Sequence, residues 1–456
     1  LNPKTTSFAG LKAYLSNNNQ FIVIALLWLT LGMYAGSVIF VVLPAMLFLL
    51  YYKHMHLEIL LGFFLILTLS DSRLSQLNFA ADAKNIYILM ISLFSFLEMR
   101  NSSTTIDFYK YFIGFFFLSF LVMFFNPNIG LSFQKTLSYS LFLIFVPNYI
   151  FTVYKKYGTL SIKSLVYFVA IIFALGLIIN LFNPGITNLV GRFRGLLGNP
   201  NGLGLYAFLF LLFFITVNEH FSDLFSRNEK IIIYGLALFC LLKCGARTSL
   251  VSVLMFVFFV RFYKISSILG FLIFIFTVGV YQLISDNLVN IIVGLGLGNQ
   301  FRVETLESGS GRIIAWKFAW DQIQDNFYLG NGFSYTEYIF KKNYEYLSRL
   351  GHQGAAHNAY LTFWLDTGLI GLVLFLFGLL VTFLKAAKRS KLAIPVLYSV
   401  LFSNYYESWI TASLNPFTIQ LIFILTIIFM YDFEFNETAV DELKPQGNSP
   451  KVQTEL

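Results

Sequence analysis

Long apolar runs, nearly free of charge, set the first limit on what this chain can become. A helix needs about 20 mostly apolar residues to cross a bilayer. About fourteen segments approach that pattern, near 21–35, 36–52, 57–71, 86–99, 108–125, 136–153, 165–183, 203–217, 231–243, 247–262, 267–284, 359–384, 393–410 and 416–432. The 456 residues are 57% hydrophobic and only 12% charged, where an ordinary soluble domain carries about 25% charged residues. So little charge cannot solvate a soluble surface of this size, and disorder needs the opposite composition. The runs are continuous rather than alternating, which argues against a closed β-barrel. The expected fold class is all-α: a polytopic integral membrane protein of about 12–14 transmembrane helices.

The Lys and Arg positions give an orientation. With the N-terminus cytoplasmic, the inner loops collect Lys53, Arg100, Lys110, Lys155, Lys156, Lys163, Arg227, Lys230, Arg261, Lys264, Lys385, Lys388, Arg389 and Lys391. The short outer loops and helix ends hold Arg73, Lys84, Lys135, Arg192, Arg194, Lys243 and Arg247, about half as many, as the positive-inside rule requires. The expected plan is a cytoplasmic start at 1–20, about eleven helices over 21–284, one long extracytoplasmic loop at 285–358, about three more helices over 359–432, and a disordered cytoplasmic tail at 433–456. No cleavable signal sequence is evident, because no small-residue site follows the first apolar run. The net charge of +8 reflects these loops and needs no nucleic-acid partner. Cys240 and Cys244 share one apolar stretch and suggest neither a disulfide framework nor a metal site.

Four polar clusters fall on the outer side. The first runs Gly191-Arg192-Phe193-Arg194-Gly195 and then Gly198-Asn199-Pro200-Asn201-Gly202. Asn199 before Pro200 is an ordinary helix start, with a capping side chain and a proline at the first helical position; it leaves two arginines unexplained. The second contains Lys243, Ala246, Arg247, Thr248 and Ser249. Lys243 and Arg247 share a face if the helix is continuous, and the plain alternative is cations reaching for headgroups.

The third is Ser308-Gly309-Ser310-Gly311-Arg312, opening a helix with Ser310 as N-cap. There Ile313, Trp316, Trp320 and Ile323 recur at helical spacing, predicting an amphipathic helix on the membrane surface with Trp at headgroup level. A surface Arg is usually only solvated, so Arg312 gains weight from its company alone. The fourth is 351–360, with His352, His357, Asn358 and Tyr360 before a membrane helix containing Asp366. A helix N-terminus disfavours imidazolium, so His357 is expected neutral and available as a base. His352 reads as a loop residue.

Together these give several cations and one base on one face, without a paired carboxylate or a metal-ligand cluster. Such a set suits phosphate or pyrophosphate. The run at 294–299 lacks the Lys-Ser/Thr of a nucleotide-phosphate loop. Neither a metal nor a cofactor is expected.

In this order the clusters resemble the O-antigen ligase/polymerase superfamily. The resemblance rests on GRFRGLLGNPNGLG, GARTSL, SGSGRIIAWKFAW, LGNGF (329–333), HNAYLTFWLDTGLIGL and NYYESWI (404–410), spanning about 190–410. It implies a C-type membrane glycosyltransferase architecture. It implies transfer from an undecaprenyl-pyrophosphate-linked oligosaccharide to a hydroxyl acceptor, in a bacterial inner membrane with the active site facing outward. The family's functional positions fall on Arg247, Arg312 and His357, with Arg194 a weaker match; Ala246 departs from the Ser that many relatives carry before the Arg. Lys243, Arg192 and Arg194 would widen the electropositive mouth, Asn358 and Tyr360 would hold the base or a sugar, and Asn199 and Asn201 would also bind substrate. The donor's lipid tail would follow Phe-rich helix faces. Expected partners are the lipid-linked donor, a glycan or lipid A core acceptor, membrane lipids, a flippase and a chain-length regulator. A polymerase of O-antigen, capsule or exopolysaccharide is the preferred reading, an O-antigen ligase the alternative, and a polysaccharide flippase the different class.

Overall fold

A computed structural model describes residues 18–100, 102, 104–262, 270–280, 311–352 and 354–442. The first half supplies α1 (Asn19–Tyr34), α2 (Ile39–Tyr52), α3 (His56–Ser70), α4 (Phe79–Arg100), α5 (Ile113–Val122), α6 (Ile129–Tyr157) and α7 (Thr159–Phe182). A single turn, α8 (Pro184–Thr187), leads to an antiparallel hairpin of β1 (Asn188–Leu189) and β2 (Arg192–Phe193). Then come α9 (Pro200–His220), α10 (Arg227–Cys244), α11 (Arg247–Phe262) and α12 (Gly270–Val280). Beyond residue 310 lie α13 (Arg312–Ile323), α14 (Tyr335–Lys342), α15 (Tyr344–Arg349), α16 (Ala359–Ala387), α17 (Ala393–Tyr406) and α18 (Thr418–Glu442).

The fold is all-α and polytopic, as the apolar runs predict. Each of the fourteen predicted segments is occupied by a helix. Among the described residues six helices are long and apolar enough to cross a membrane: Ser75–Arg100, Phe108–Phe125, Ile129–Tyr157, Thr159–Phe182, Pro200–His220 and Ala359–Ala387. Asn19–Tyr34, Gly36–Tyr52, His56–Ser70, Gly270–Val280 and Thr418–Met430 are shorter apolar helices. The centre of the bundle is α9, with 89% of its most apolar window buried. Its Phe208, Phe210, Phe213 and Phe214 are fully enclosed, and Phe213 meets Phe423 of α18 with ring centroids 5.6 Å apart. Those phenylalanines are therefore protein core rather than a lipid-facing track. Side chains such as Val41, Phe117, Leu181 and Phe182 are the exposed ones.

The charges assigned to opposite sides sit at opposite ends of the bundle. At one end Lys156 bonds Glu98 at 3.1 Å, Lys163 faces Glu229 at 3.8 Å, and Lys391 pairs with Glu219. At the other, the Gly198 N–H donates to Asp71 at 2.9 Å, Lys135 pairs with Glu337, and the Asn126 amide donates to the carbonyls of Gly332 and Phe333.

Three expectations change. The chain remains helical to Glu442, past the boundary at 432 where the tail was expected to begin, since the apolar helix continues into its polar residues; 443–456 lie outside the described residues. So do 285–310, the first part of the long outer loop, including Ser308, Gly309 and Ser310. The helix after them begins at Arg312 with Gly311 at its N-cap position, in a left-handed conformation (φ 70°). Finally, α13 buries Ala315, Ala319 and Ile323 and leaves Ile313 exposed. Its alanine stripe permits close packing on α16, so the helix is docked on the bundle by its small residues. Trp316 points to protein: its indole N–H donates to the Ala356 carbonyl at 3.0 Å.

Helix α16 is interrupted at Gly368 (φ 70°, ψ 178°), a conformation open only to glycine. The segment 327–333 fills the break. Leu369 and Ile370 donate their N–H groups to the carbonyls of Phe327 and Tyr328, while Asn331 and Gly332 donate to Asp366 O. A Cβ on Gly368 would lie 2.2 Å from Tyr328 O, and one on Gly330 2.3 Å from Gly368 N. The Asp366 carboxylate, almost fully buried, accepts from the Ser334 and Thr336 N–H groups and from the Thr336 hydroxyl, which satisfies the start of α14.

Candidate functional site

Glu407 is the point at which the outer clusters meet. It ends α17, its N–H still bonded to Ser403 O at 2.9 Å while its own backbone turns extended. The carboxylate is about nine-tenths buried, with 10% of the side chain exposed. Oε1 accepts from Arg312 Nη2 at 2.9 Å and from Asn201 Nδ2 at 3.4 Å; Oε2 lies 3.4 Å from His357 Nδ1. Asn201 in turn accepts from Arg192 Nη2 at 3.1 Å. Five residues from four separate stretches of sequence thus share one polar chain. Glu407 was not among the expected site residues. The signal for it was faint: one acid in an otherwise apolar stretch, just after Asn404-Tyr405-Tyr406.

Local structure explains how each partner arrives. Arg312 is the first residue of α13, and Gly311 before it packs against the 351–352 backbone, where a Cβ would sit 3.0 Å from Gly351 O. Its guanidinium lies 5.7 Å from the Tyr406 ring centroid, within cation–π range. His357 has φ 48°, a left-handed conformation rare for a residue with a side chain. The next residue, Asn358, is buried and accepts from the Leu361 N–H at 3.0 Å, so it caps α16. Tyr360 donates to Leu401 O at 2.8 Å and ties α16 to α17, which fixes the histidine relative to Glu407. The imidazole therefore faces a carboxylate as well as the helix terminus. Its Nε2 is turned towards Gly354, where a Cβ would come within 3.2 Å.

Arg192 is exposed on β2 of the hairpin. The two-residue connection has positive φ at both Val190 (49°) and Gly191 (73°), as a type I′ turn requires. Besides Asn201, its guanidinium donates to the carbonyls of Cys244 (3.1 Å) and Gly245 (3.0 Å), joining the hairpin to the α10–α11 corner. Arg247 begins α11 at that corner, exposed, and its charge opposes that of Arg192. Among the described residues no carboxylate pairs with it. Gly245 is left-handed at the end of α10, so Lys243 and Arg247 belong to different helices. Lys243 donates to Asn180 and lies 4.7 Å from the Phe193 ring centroid.

Arg194 stands apart. It is buried, and its guanidinium donates to Ile186 O (3.2 and 3.0 Å) and Gly198 O (3.2 Å). Asn199 caps α9 by accepting from Gly202 N at 2.8 Å. The expected binding group therefore divides. Arg312, His357, Asn201 and Arg192 are brought together on Glu407, and Arg247 stands beside Arg192. Arg194, Asn199, Asn358 and Tyr360 hold backbone, and Lys243 is engaged by Asn180.

Burial governs the shifted titrations here. It raises the Asp71 carboxyl to about 6 against the opposing pull of the Gly198 N–H. It lowers His352, assisted by the neighbouring His357. Desolvation also lowers Arg192 from the ordinary range of arginine. Among the described residues no group of His, Cys, Asp and Glu is arranged to hold a metal ion.

Residues 232–376 match the model of a family described as O-antigen ligase. The matched stretch contains Lys243, Arg247, Arg312, His357, Asn358 and Tyr360 and stops short of Glu407. No curated protein matches the sequence.

Proposed function

We propose that this member of the O-antigen ligase/polymerase superfamily takes an oligosaccharide from undecaprenyl pyrophosphate and joins it to a glycan hydroxyl, lengthening a polysaccharide on the outer side of the bacterial inner membrane. The observation that carries this reading is the single cluster of Arg312, His357, Asn201 and Arg192 around Glu407. Cations beside one imidazole are what pyrophosphate departure and hydroxyl activation need.

Arg312 and Arg247, with Arg192 behind them, bind the pyrophosphate of the donor. Arginine suits this because its planar fork matches phosphate oxygens and stays charged. His357 Nε2 takes the proton of the acceptor hydroxyl while that oxygen bonds to the anomeric carbon. The bond from that carbon to the phosphate oxygen breaks, its electron pair stays with the pyrophosphate, and the sugar centre inverts. The arginines hold the negative charge as it grows, which is usually the largest catalytic contribution. The Nδ1 side of the ring faces Glu407, so a proton on Nδ1 leaves the Nε2 lone pair free.

The test is product formation by purified protein with lipid-linked glycan. His357→Ala should lower turnover by about 10²–10⁴-fold and Arg312→Ala by about 10²–10³-fold, at unchanged protein level. Wild-type product from both variants would overturn the assignment. Glycan length in a deletion strain tests the acceptor. Loss of long chains with single units still attached fits a polymerase; accumulation of long lipid-linked chains would make the protein a ligase.

A further inference from the structure

We propose that Glu407 is a positioning residue that changes partners: without donor it neutralises Arg312, and when pyrophosphate arrives it is released to hold His357. This rests on the roles of Arg312 and His357 given above. One carboxylate serves both groups and cannot serve both equally well. Its contact with Arg312, 2.9 Å, is a full charge-assisted hydrogen bond, whereas the 3.4 Å separation from His357 Nδ1 is longer than an ordinary one. In this arrangement the arginine holds the carboxylate more closely than the imidazole does.

A pyrophosphate next to Arg312 changes that balance. It competes for the same guanidinium with more charge than a carboxylate, and it repels the carboxylate itself. Burial strengthens both effects, because the Glu407 side chain is only 10% exposed and weakly screened. Among the described residues, the charged and titratable groups facing Glu407 are Arg312 from α13, His357 from the turn before α16 and, through Asn201 of α9, Arg192 of β2; His352 faces the His357 ring, 6.3 Å between centroids. Of these, Arg312 and Arg192 are the pyrophosphate ligands in this reading, which leaves His357 as the group to which a displaced carboxylate turns.

The histidine has the more constrained backbone of the two. Its backbone is held left-handed, Asn358 after it is locked as a cap, and Tyr360 is bonded to Leu401. Glu407 lies where α17 has just ended, with extended backbone, and its side chain has more rotatable bonds. A short shift of the carboxylate shortens the bond to Nδ1, fixes the proton there and raises the basicity of Nε2. The base is thus at full strength only when a leaving group is in place.

The experiment uses Glu407→Gln and Glu407→Asp in the full-length protein, with two readouts. The first is affinity for farnesyl pyrophosphate, a soluble carrier of the same head group. The second is turnover with lipid-linked glycan across pH. Glu407→Gln removes the competing charge, so it should bind farnesyl pyrophosphate at least as tightly as wild type. Its turnover should fall by about 10²-fold, with the donor KM unchanged or lower. The rising limb of its pH profile should move to lower pH, because the imidazole has lost its anion. Glu407→Asp should recover part of the turnover. Weaker farnesyl pyrophosphate binding by Glu407→Gln, unchanged turnover, or an unmoved pH profile would overturn the exchange. Arg312→Ala separates the two levels: if it binds farnesyl pyrophosphate as wild type does, the functional reading itself fails.

Discussion

Arg194 and Arg247 are the same residue type on the same end of the molecule, and their surroundings give them different work. Arg194 is buried with its guanidinium spent on the carbonyls of Ile186 and Gly198. Arg247 is exposed beside another cation. Arg194→Ala should therefore destabilise the fold, by roughly 1–3 kcal/mol for each buried acceptor left bare. Arg247→Ala should leave stability within about 0.5 kcal/mol and weaken farnesyl pyrophosphate binding. Thermal unfolding in detergent beside a binding titration separates the two. The sequence placed both arginines in polar clusters, but residue type says nothing about which one already has its acceptors. Asn199 was more legible: it precedes an apolar run and caps it, as expected, because capping depends on neighbours only three residues away. Asn358, expected to hold the base or a sugar, caps its helix in the same way.

Among the elements, α16 shows that a stretch singled out for its polar start also carries structure. Its first residues follow His357, yet the next two turns exist to receive the 327–333 segment at the Gly368 break. Gly368→Ala places a Cβ 2.2 Å from Tyr328 O in a backbone conformation closed to alanine. The expected loss is ~3 kcal/mol or more, visible as a lower melting temperature or failure to recover folded protein. Ala substitution at Gly235, whose Cβ would meet nothing, is the control. The helix at this place was readable from its apolar run; the break was not, because a glycine within an apolar run reads as mere tolerance until its partner strand of backbone is known. Likewise α13 was foreseen as a helix, but its apolar face was read from Ile313, Trp316, Trp320 and Ile323, of which only Ile323 is buried, alongside Ala315 and Ala319. Helix faces follow the neighbour they approach, and small residues allow the closest approach.

Across the whole molecule the scarce charge is sorted by end. Lys156–Glu98, Lys163–Glu229 and Lys391–Glu219 lie at one end, and Arg312–Glu407 and Lys135–Glu337 at the other. Reporter fusions should follow this division. Junctions near residues 54, 158, 222 and 388 should report the cytoplasm, and those near 73, 127, 185 and 350 the outer side. A single fusion of one set reporting with the other would redraw the spans between them. The sequence by itself determined the membrane class, the helices and the sorting of charge, because each follows from local composition and from loop positions along the chain. It also brought His357, Arg312 and Arg247 forward as a set. Only the tertiary structure decided that Arg247 stands aside, next to Arg192, and that Arg312, His357 and Asn201 meet on Glu407. The contacts that make it a hub span 50, 95 and 206 residues of sequence, and no local pattern encodes a meeting of ends from helices packed around a common core.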